Sequence, residues 1–288
     1  KTYPEYLFIS PLHDKSPLFF AVQIEKIERV YSPKAGLAEL MSMPEKHLDE
    51  HLRTVASFVY FLLKSELSLD DLGITFSTLM GHYFPNKSDI NIVVYGKENF
   101  WKLMGFFEKN NHENLRWKTY EEWEDFYRKR NRNIIHKKEV YLKNMNRKKS
   151  EGFFNKNLFV IFGVENEDEA WHKWGEENYR RIGFAKFKAV VEDNKDSVVR
   201  PGRYKVVESQ FIEGNEECKN VKISNVVFYS RDYCMLAYPK EQIEASGVVE
   251  EVTKKSGEKY YRLVTGYFDS YFNGVRDNEY IKVLNGLI

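Results

Sequence analysis

Cysteine is scarce in this chain: Cys218 and Cys234 are its only two among 288 residues. Neither stands in a CxxC pair, and too few histidines lie near them to make a zinc site, so a reducing cytoplasm is the expected compartment. Long apolar runs are lacking as well. The most apolar stretch, Val55 to Leu63, is about half the ~20 residues a membrane-spanning helix needs and is broken by Ser57, so it reads as a core helix with no membrane partner. No secretory signal is visible. Net charge is nearly absent too, since 44 Lys and Arg stand against 43 Asp and Glu for a formal +1. That sum hides segregation along the chain, so partners must be read from local charge.

The composition, 42% hydrophobic and 30% charged, suits a two-domain globular protein. Leu7–Ile9 and Phe19–Ile24 read as short strands of an N-terminal arm or hairpin over residues 1–34. Leu48, Leu52, Val55, Val59 and Leu62 recur at three-and-four spacing, which predicts an amphipathic helix within 45–65. Further helices are predicted over Glu98–Lys109, over Tyr120–Arg130 behind a Thr119/Glu122 capping box, and over about 137–149. Leu158–Phe162 and Phe184–Val191 read as strands. From about residue 196 the pattern turns to short β-candidates at 203–207, 221–229, 243–253 and 260–265, the last two joined by a Ser256-Gly257 turn. The predicted fold class is α/β (α+β): a mixed sheet with flanking helices over 35–199, then a small β-rich, barrel-like domain over 200–288.

The stretch Leu72–Gly96 carries the clearest chemistry. It sets an apolar strand, a hydroxyl-bearing turn with Thr75 and Ser77, a short helix and a second strand bearing Asp89 and Asn91 in that order. Strand side chains alternate faces, so Asp89 and Asn91 share one face and could share a ligand or cation.

This layout resembles the nucleotidyltransferases of the DNA polymerase beta superfamily, whose signature is a Gly-Ser turn followed by an Asp-x-Asp strand. Gly152–Gly163, Phe187–Val206 and Tyr229–Gly247 are similar to conserved blocks of an uncharacterised archaeal family of predicted nucleotidyltransferases. The resemblance implies a nucleotidyltransferase-like fold and Mg2+-dependent transfer of a nucleotidyl group from a nucleoside triphosphate to an acceptor, RNA being one candidate. It implies Asp89 and Asn91 as catalytic and metal-binding residues, with Asp193 and Glu192 as sources of a third carboxylate. Thr75, Ser77 and Ser88 would hold the nucleotide. Two departures stand against activity: Phe76 replaces the glycine of the turn, and Asn91 replaces an aspartate, removing a full negative charge from a magnesium site. The alternative is a catalytically degenerate fold that serves as an RNA- or ribonucleoprotein-binding scaffold.

Residues 128–149 hold ten Lys or Arg against one acid, Glu139. Arg128, Lys129, Arg130, Arg132, Lys137, Lys138, Arg147, Lys148 and Lys149 are the candidate nucleic-acid contacts, because like charges at helical spacing repel unless an anion compensates. Tyr127, His136 and Tyr141 interleave with them and could stack bases. The competing reading pairs this segment with the acids of residues 165–177. Trp171 and Trp174, among those acids, read as helix anchors rather than base platforms.

Overall fold

A computed structural model describes residues 3–85, 87–130, 138–267 and 278–285. In chain order the described elements are β1 (Leu7–Ile9), β2 (Leu18–Phe20), α1 (Pro33–Ser42), α2 (Glu50–Leu63), β3 (Leu72–Ile74), α3 (Phe76–Leu79), β4 (Ile90–Tyr95), α4 (Lys97–Lys109), β5 (Leu115–Trp117), α5 (Tyr120–Arg130) and α6 (Lys138–Asn146). Then follow β6 (Glu151–Phe154), β7 (Asn157–Val164), β8 (Glu177–Asp193), β9 (Gly202–Gly214), β10 (Ile223–Phe228), β11 (Gln242–Lys254), β12 (Lys259–Thr265) and β13 (Tyr280–Asn285). The architecture is mixed α and β, as expected. It divides into a five-stranded unit, residues 28–123 and 146–169, and a six-stranded unit, residues 1–27, 124–145 and 170–288.

The five-stranded unit has sheet order β3-β4-β7-β6-β5. β4 is an internal strand with Ile90, Ile92, Val93 and Val94 buried, so apart from Asn91 its sequence is hydrophobic on both faces instead of alternating. It pairs antiparallel with β3 and parallel with β7, aligning Asn91 with Val160. Asp49 caps α2 by accepting the Leu52 N–H at 2.9 Å, and the helix buries Val55, Phe58 and Leu62. Phe58 packs on Phe159 and Phe154, with ring centroids 4.7 and 4.9 Å away. Each such buried side chain contributes roughly 1.5–3 kcal/mol. Between β4 and α4, Gly96 takes φ 92°, a left-handed conformation that favours glycine. Gly96 has no side chain to cap α4, and the Glu169 carboxylate does so instead, accepting the Lys97 N–H at 3.0 and 3.1 Å.

In the six-stranded unit the sheet order is β12-β10-β9-β8-β11-β13, and β11 also pairs with β12. That second pairing closes five strands into a ring, a barrel-like arrangement with β13 added outside β11. β8 buries Ala185, Phe187, Ala189 and Val191 and turns Lys186 and Lys188 outward, the period-two pattern of a half-buried antiparallel strand. Tyr204, Phe228, Ile243 and Leu263 complete the interior. The ring closes at Gly247, where any Cβ would overlap the Val264 carbonyl oxygen on β12. The hairpin β1–β2 belongs to this unit, and the loop between its two strands joins β8 through Tyr179 N–H to Leu12 O at 2.7 Å and Asp14 N–H to Tyr179 O at 3.0 Å.

Several expectations move. The division near residue 200 is not observed: β8 pairs with β9 and β11, so the boundary lies at 169/170 and β8 belongs to the barrel-like unit. The N-terminal arm ends at residue 27 and is part of that unit too. The helix α1 and the strands β5, β6 and β13 add to the expected elements. Strands β5 and β6 are only three and four residues long, too short for a periodic signal.

Candidate functional site

The strand, turn, short helix and strand predicted over 72–96 all form. Phe76 takes φ 55°, the left-handed conformation that glycine would adopt without strain, and its half-exposed ring rests 5.6 Å from that of Phe162. Thr75, not Ser77, is the N-cap of α3, and its side chain makes no cap hydrogen bond. Ser77 lies inside this single turn, half-buried. The Thr75 N–H donates to the Asn91 carbonyl at 3.1 Å, so the turn and β4 are brought together. Ser88 is committed to its loop, its hydroxyl accepting the Phe84 N–H at 2.9 Å. Asp89 directly precedes β4 and is half-buried, and the Asn91 amide donates to the Asp89 carbonyl at 3.3 Å.

The strands beside that pair bring no carboxylate to it. β3 and β7, the two strands flanking β4, contain no Asp or Glu. Asp193 and Glu192 end β8 in the other unit, where Asp193 accepts the Lys195 N–H at 2.7 Å and faces Lys205 at 3.8 Å. Among the described residues no group of three His, Cys, Asp or Glu side chains is placed to hold a metal ion. One carboxylate and one amide do not fit a two-magnesium centre, which depends on several carboxylates to offset phosphate charge.

Nearby in the five-stranded unit, His51 is fully buried, its Nε2 lying 3.0 Å from Thr78 Oγ1 and its ring stacked 4.7 Å from Tyr83. Burial lowers its pKa. The Tyr83 hydroxyl donates to Asp49 at 2.8 Å, and burial followed by that contact pushes it up to about 12. These groups satisfy one another and stabilise the turn.

The basic segment is less free than its composition suggests. Arg128 pairs with Asp125 at 2.7 Å and Lys138 with Glu124 at 3.0 Å. Lys148 is buried, and Lys149, its pKa lowered by burial, sits 5.5 Å from the Trp117 ring centre. Tyr141 is buried against Tyr127, so it offers no face to a base. Lys129 is exposed and Arg147 half-buried. Arg132, Lys137, His136 and the side chain of Arg130 lie outside the described residues. Two of the acids of 165–177 are paired elsewhere: Glu165 with Lys97 at 3.3 Å and Glu176 with Lys255 at 2.7 Å.

A more complete site lies in the six-stranded unit. A cavity of about 300 Å3 is walled by Phe8, Phe19, Trp171, Trp174, Tyr179 and Tyr229, with His13, His172, Lys173 and Arg262 among its polar lining. Its size is at the lower end of the roughly 300–1,000 Å3 of ligand clefts. Arg262 is buried, lies 3.8 Å from the Tyr179 ring centre and donates to Glu250 at 2.8 Å. Burial alone would lower its pKa, but Glu250 holds it well above the ordinary value. Tyr267 donates to the same carboxylate at 3.0 Å, so the lining residue Arg262 is backed by a charge-paired, hydrogen-bonded cluster.

Two ring nitrogens of this lining, His13 Nε2 and His172 Nδ1, are shut off from solvent and have no hydrogen-bond partner among the described residues. Such an orphaned group costs about 1–3 kcal/mol, which marks it as a place where another polar atom is wanted. Burial lowers the pKa of both histidines, so both are neutral near pH 7. Ser10 Oγ, already accepting the Leu12 N–H, lies 3.0 Å from His13 Nδ1. That contact pairs Nδ1 in either tautomer and leaves Nε2 as the unmatched ring nitrogen.

Sequence reasoning missed this site because its residues come from three separated stretches, 8–19, 171–201 and 227–262. The available signal was local: a Trp-His-Lys-Trp run at 171–174, all four of which line the cavity. Trp171 is anchored through its Nε1–H to Pro201 O at 3.2 Å, whereas Trp174 is 69% exposed.

Among known proteins, the chain is 30% identical over 220 residues to an uncharacterized protein, MJ1086, of Methanocaldococcus jannaschii. The match covers 75% of this chain and 59% of that relative, so the chain spans about three-fifths of the relative's length. No family model matches, and no solved structure matches. Among the described residues no helix is long and apolar enough to cross a membrane.

Proposed function

We propose that this chain binds nucleic acid, RNA foremost, with its five-stranded unit serving as a nucleotidyltransferase-like scaffold rather than a working phosphoryl-transfer centre. The observation that carries this reading is the absence of any carboxylate on β3 and β7, the strands beside Asp89 and Asn91. Binding is favoured by the aromatic cavity of the six-stranded unit, which offers flat rings and unmatched polar atoms. Exposed cations such as Lys129 and Lys143 supply the phosphate attraction. The test is fluorescence anisotropy with a labelled single-stranded RNA. Affinity should fall steeply between about 50 and 200 mM salt, because neutralised phosphates release counterions. Absent binding, or affinity indifferent to salt, refutes the proposal.

A second reading, magnesium-dependent nucleotidyl transfer from a nucleoside triphosphate, draws on the formed strand-turn-helix-strand and on Phe76 holding a glycine-like backbone. It requires Asn91→Asp to raise magnesium-dependent incorporation of labelled nucleotide. No label from either form, with all four triphosphates, ends it.

A further inference from the structure

We propose that the cavity of the six-stranded unit is a base-reading pocket, taking one unstacked nucleobase while leaving sugar and phosphate outside. This inference rests on the nucleic-acid reading above only for the source of the base, since a free nucleoside presents the same chemistry.

The walls supply stacking surface. His13 lies 4.6 Å from Tyr179, Trp171 4.2 Å from His172 and Trp174 6.0 Å from Phe8, centre to centre, so the lining is a set of packed flat rings. An aliphatic ligand would fill such a space without using those faces, whereas a heteroaromatic ring uses them at ring-to-ring distances typical of aromatic pairs. The polar groups narrow the class further. His13 Nε2 is unmatched, and a base edge offers both acceptors and donors, so it can meet either tautomer. His172 Nδ1 is a second unsatisfied position on the same lining, and a base edge carries several polar atoms in one plane.

Charge excludes the phosphate. Arg262 is the one buried cation of the described lining, and its guanidinium is engaged by Glu250 and by the Tyr267 hydroxyl, 3.2 Å from Nη2. A dianionic phosphate driven in beside Glu250 would meet a buried carboxylate without a free counter-charge. Lys173, exposed and part of the lining, is the cation a phosphate meets at the rim.

The experiment is isothermal titration of the full chain with the four nucleosides, their 5′-monophosphates and a short single-stranded RNA, repeated on Trp174→Ala and His172→Ala. Trp174 is mostly exposed, so its removal leaves the core intact. At least one nucleoside should bind, its monophosphate no more than a few-fold tighter, and both variants should weaken binding about ten-fold or more. If RNA and nucleoside both lose affinity in the variants, the pocket reads a base within RNA. If the nucleoside binds and RNA does not, the pocket stands, free nucleoside is its ligand, and the RNA reading falls. RNA bound equally well by wild type and both variants overturns the pocket while leaving the RNA reading in place. No binding by any of them overturns both.

Discussion

Substituting Glu250 by Gln tests the charge-paired cluster behind the pocket. The Glu250 and Arg262 side chains are each 4% exposed and 2.8 Å apart, and Tyr267 donates to the same carboxylate. Removing the negative charge leaves a guanidinium buried with only an amide and a phenol oxygen for partners. Losing one member of such a pair costs about 3–5 kcal/mol, a large share of the roughly 5–15 kcal/mol that holds a domain folded. With a urea dependence of about 1–3 kcal/mol per molar, the unfolding midpoint of the six-stranded unit should drop by at least about 1 M. Trp171 and Trp174 lie in that unit and report the transition by fluorescence. Replacing both Glu250 and Arg262 by Met should restore most of the loss, because no uncompensated charge remains. A Glu250→Gln loss below about 1 kcal/mol would mean that Arg262 reaches solvent, and the exclusion of phosphate from the pocket would fall with it.

Three further outcomes follow from the geometry. His13, His51 and His172 all have pKa values lowered by burial, so the unfolded chain binds more protons than the folded one near and below the ordinary imidazole value of about 6.5; stability should be full well above that pH and fall as pH drops through and below it in urea titrations, and His13→Asn/His172→Asn should flatten the slope. Because Phe76 sits at φ 55°, Phe76→Gly should be more stable than Phe76→Ala by about 1 kcal/mol in urea unfolding, the reverse of the order at an ordinary helical position. Gly247→Ala should cost about 1–3 kcal/mol or prevent the ring from closing, seen as a lower melting temperature and loss of near-UV circular dichroism.

The elements legible in the sequence are those whose burial is periodic. α5 was predicted with its observed bounds, and its Thr119/Glu122 capping box forms with bonds of 2.9 and 3.3 Å. The β11–β12 hairpin was marked by Ser256-Gly257, where Gly257 takes φ 86°. What periodicity cannot give is which strands are neighbours. The alternation of Phe184–Val191 marks a strand, but its pairing with β9 and β11 decides that Asp193 lies outside the sheet of Asp89. The same limit hid the aromatic pocket, because Trp171 and Tyr229 meet only through the closed ring of strands. Phe76 is a different case: the residue type argued against a glycine-like turn, and the backbone adopts one nonetheless, at a cost of about 1–2 kcal/mol.

The central claim, that His13 and His172 are recognition groups for a bound base, is tested most directly by long-range 1H–15N correlation spectra of the histidine rings. Signals of His13 and His172, assigned with the single Asn variants, should shift when the best-binding nucleoside or RNA saturates the protein. His51, already bonded to Thr78 in the other unit, should not move. Saturation that leaves the His13 and His172 nitrogens where they were would contradict the account.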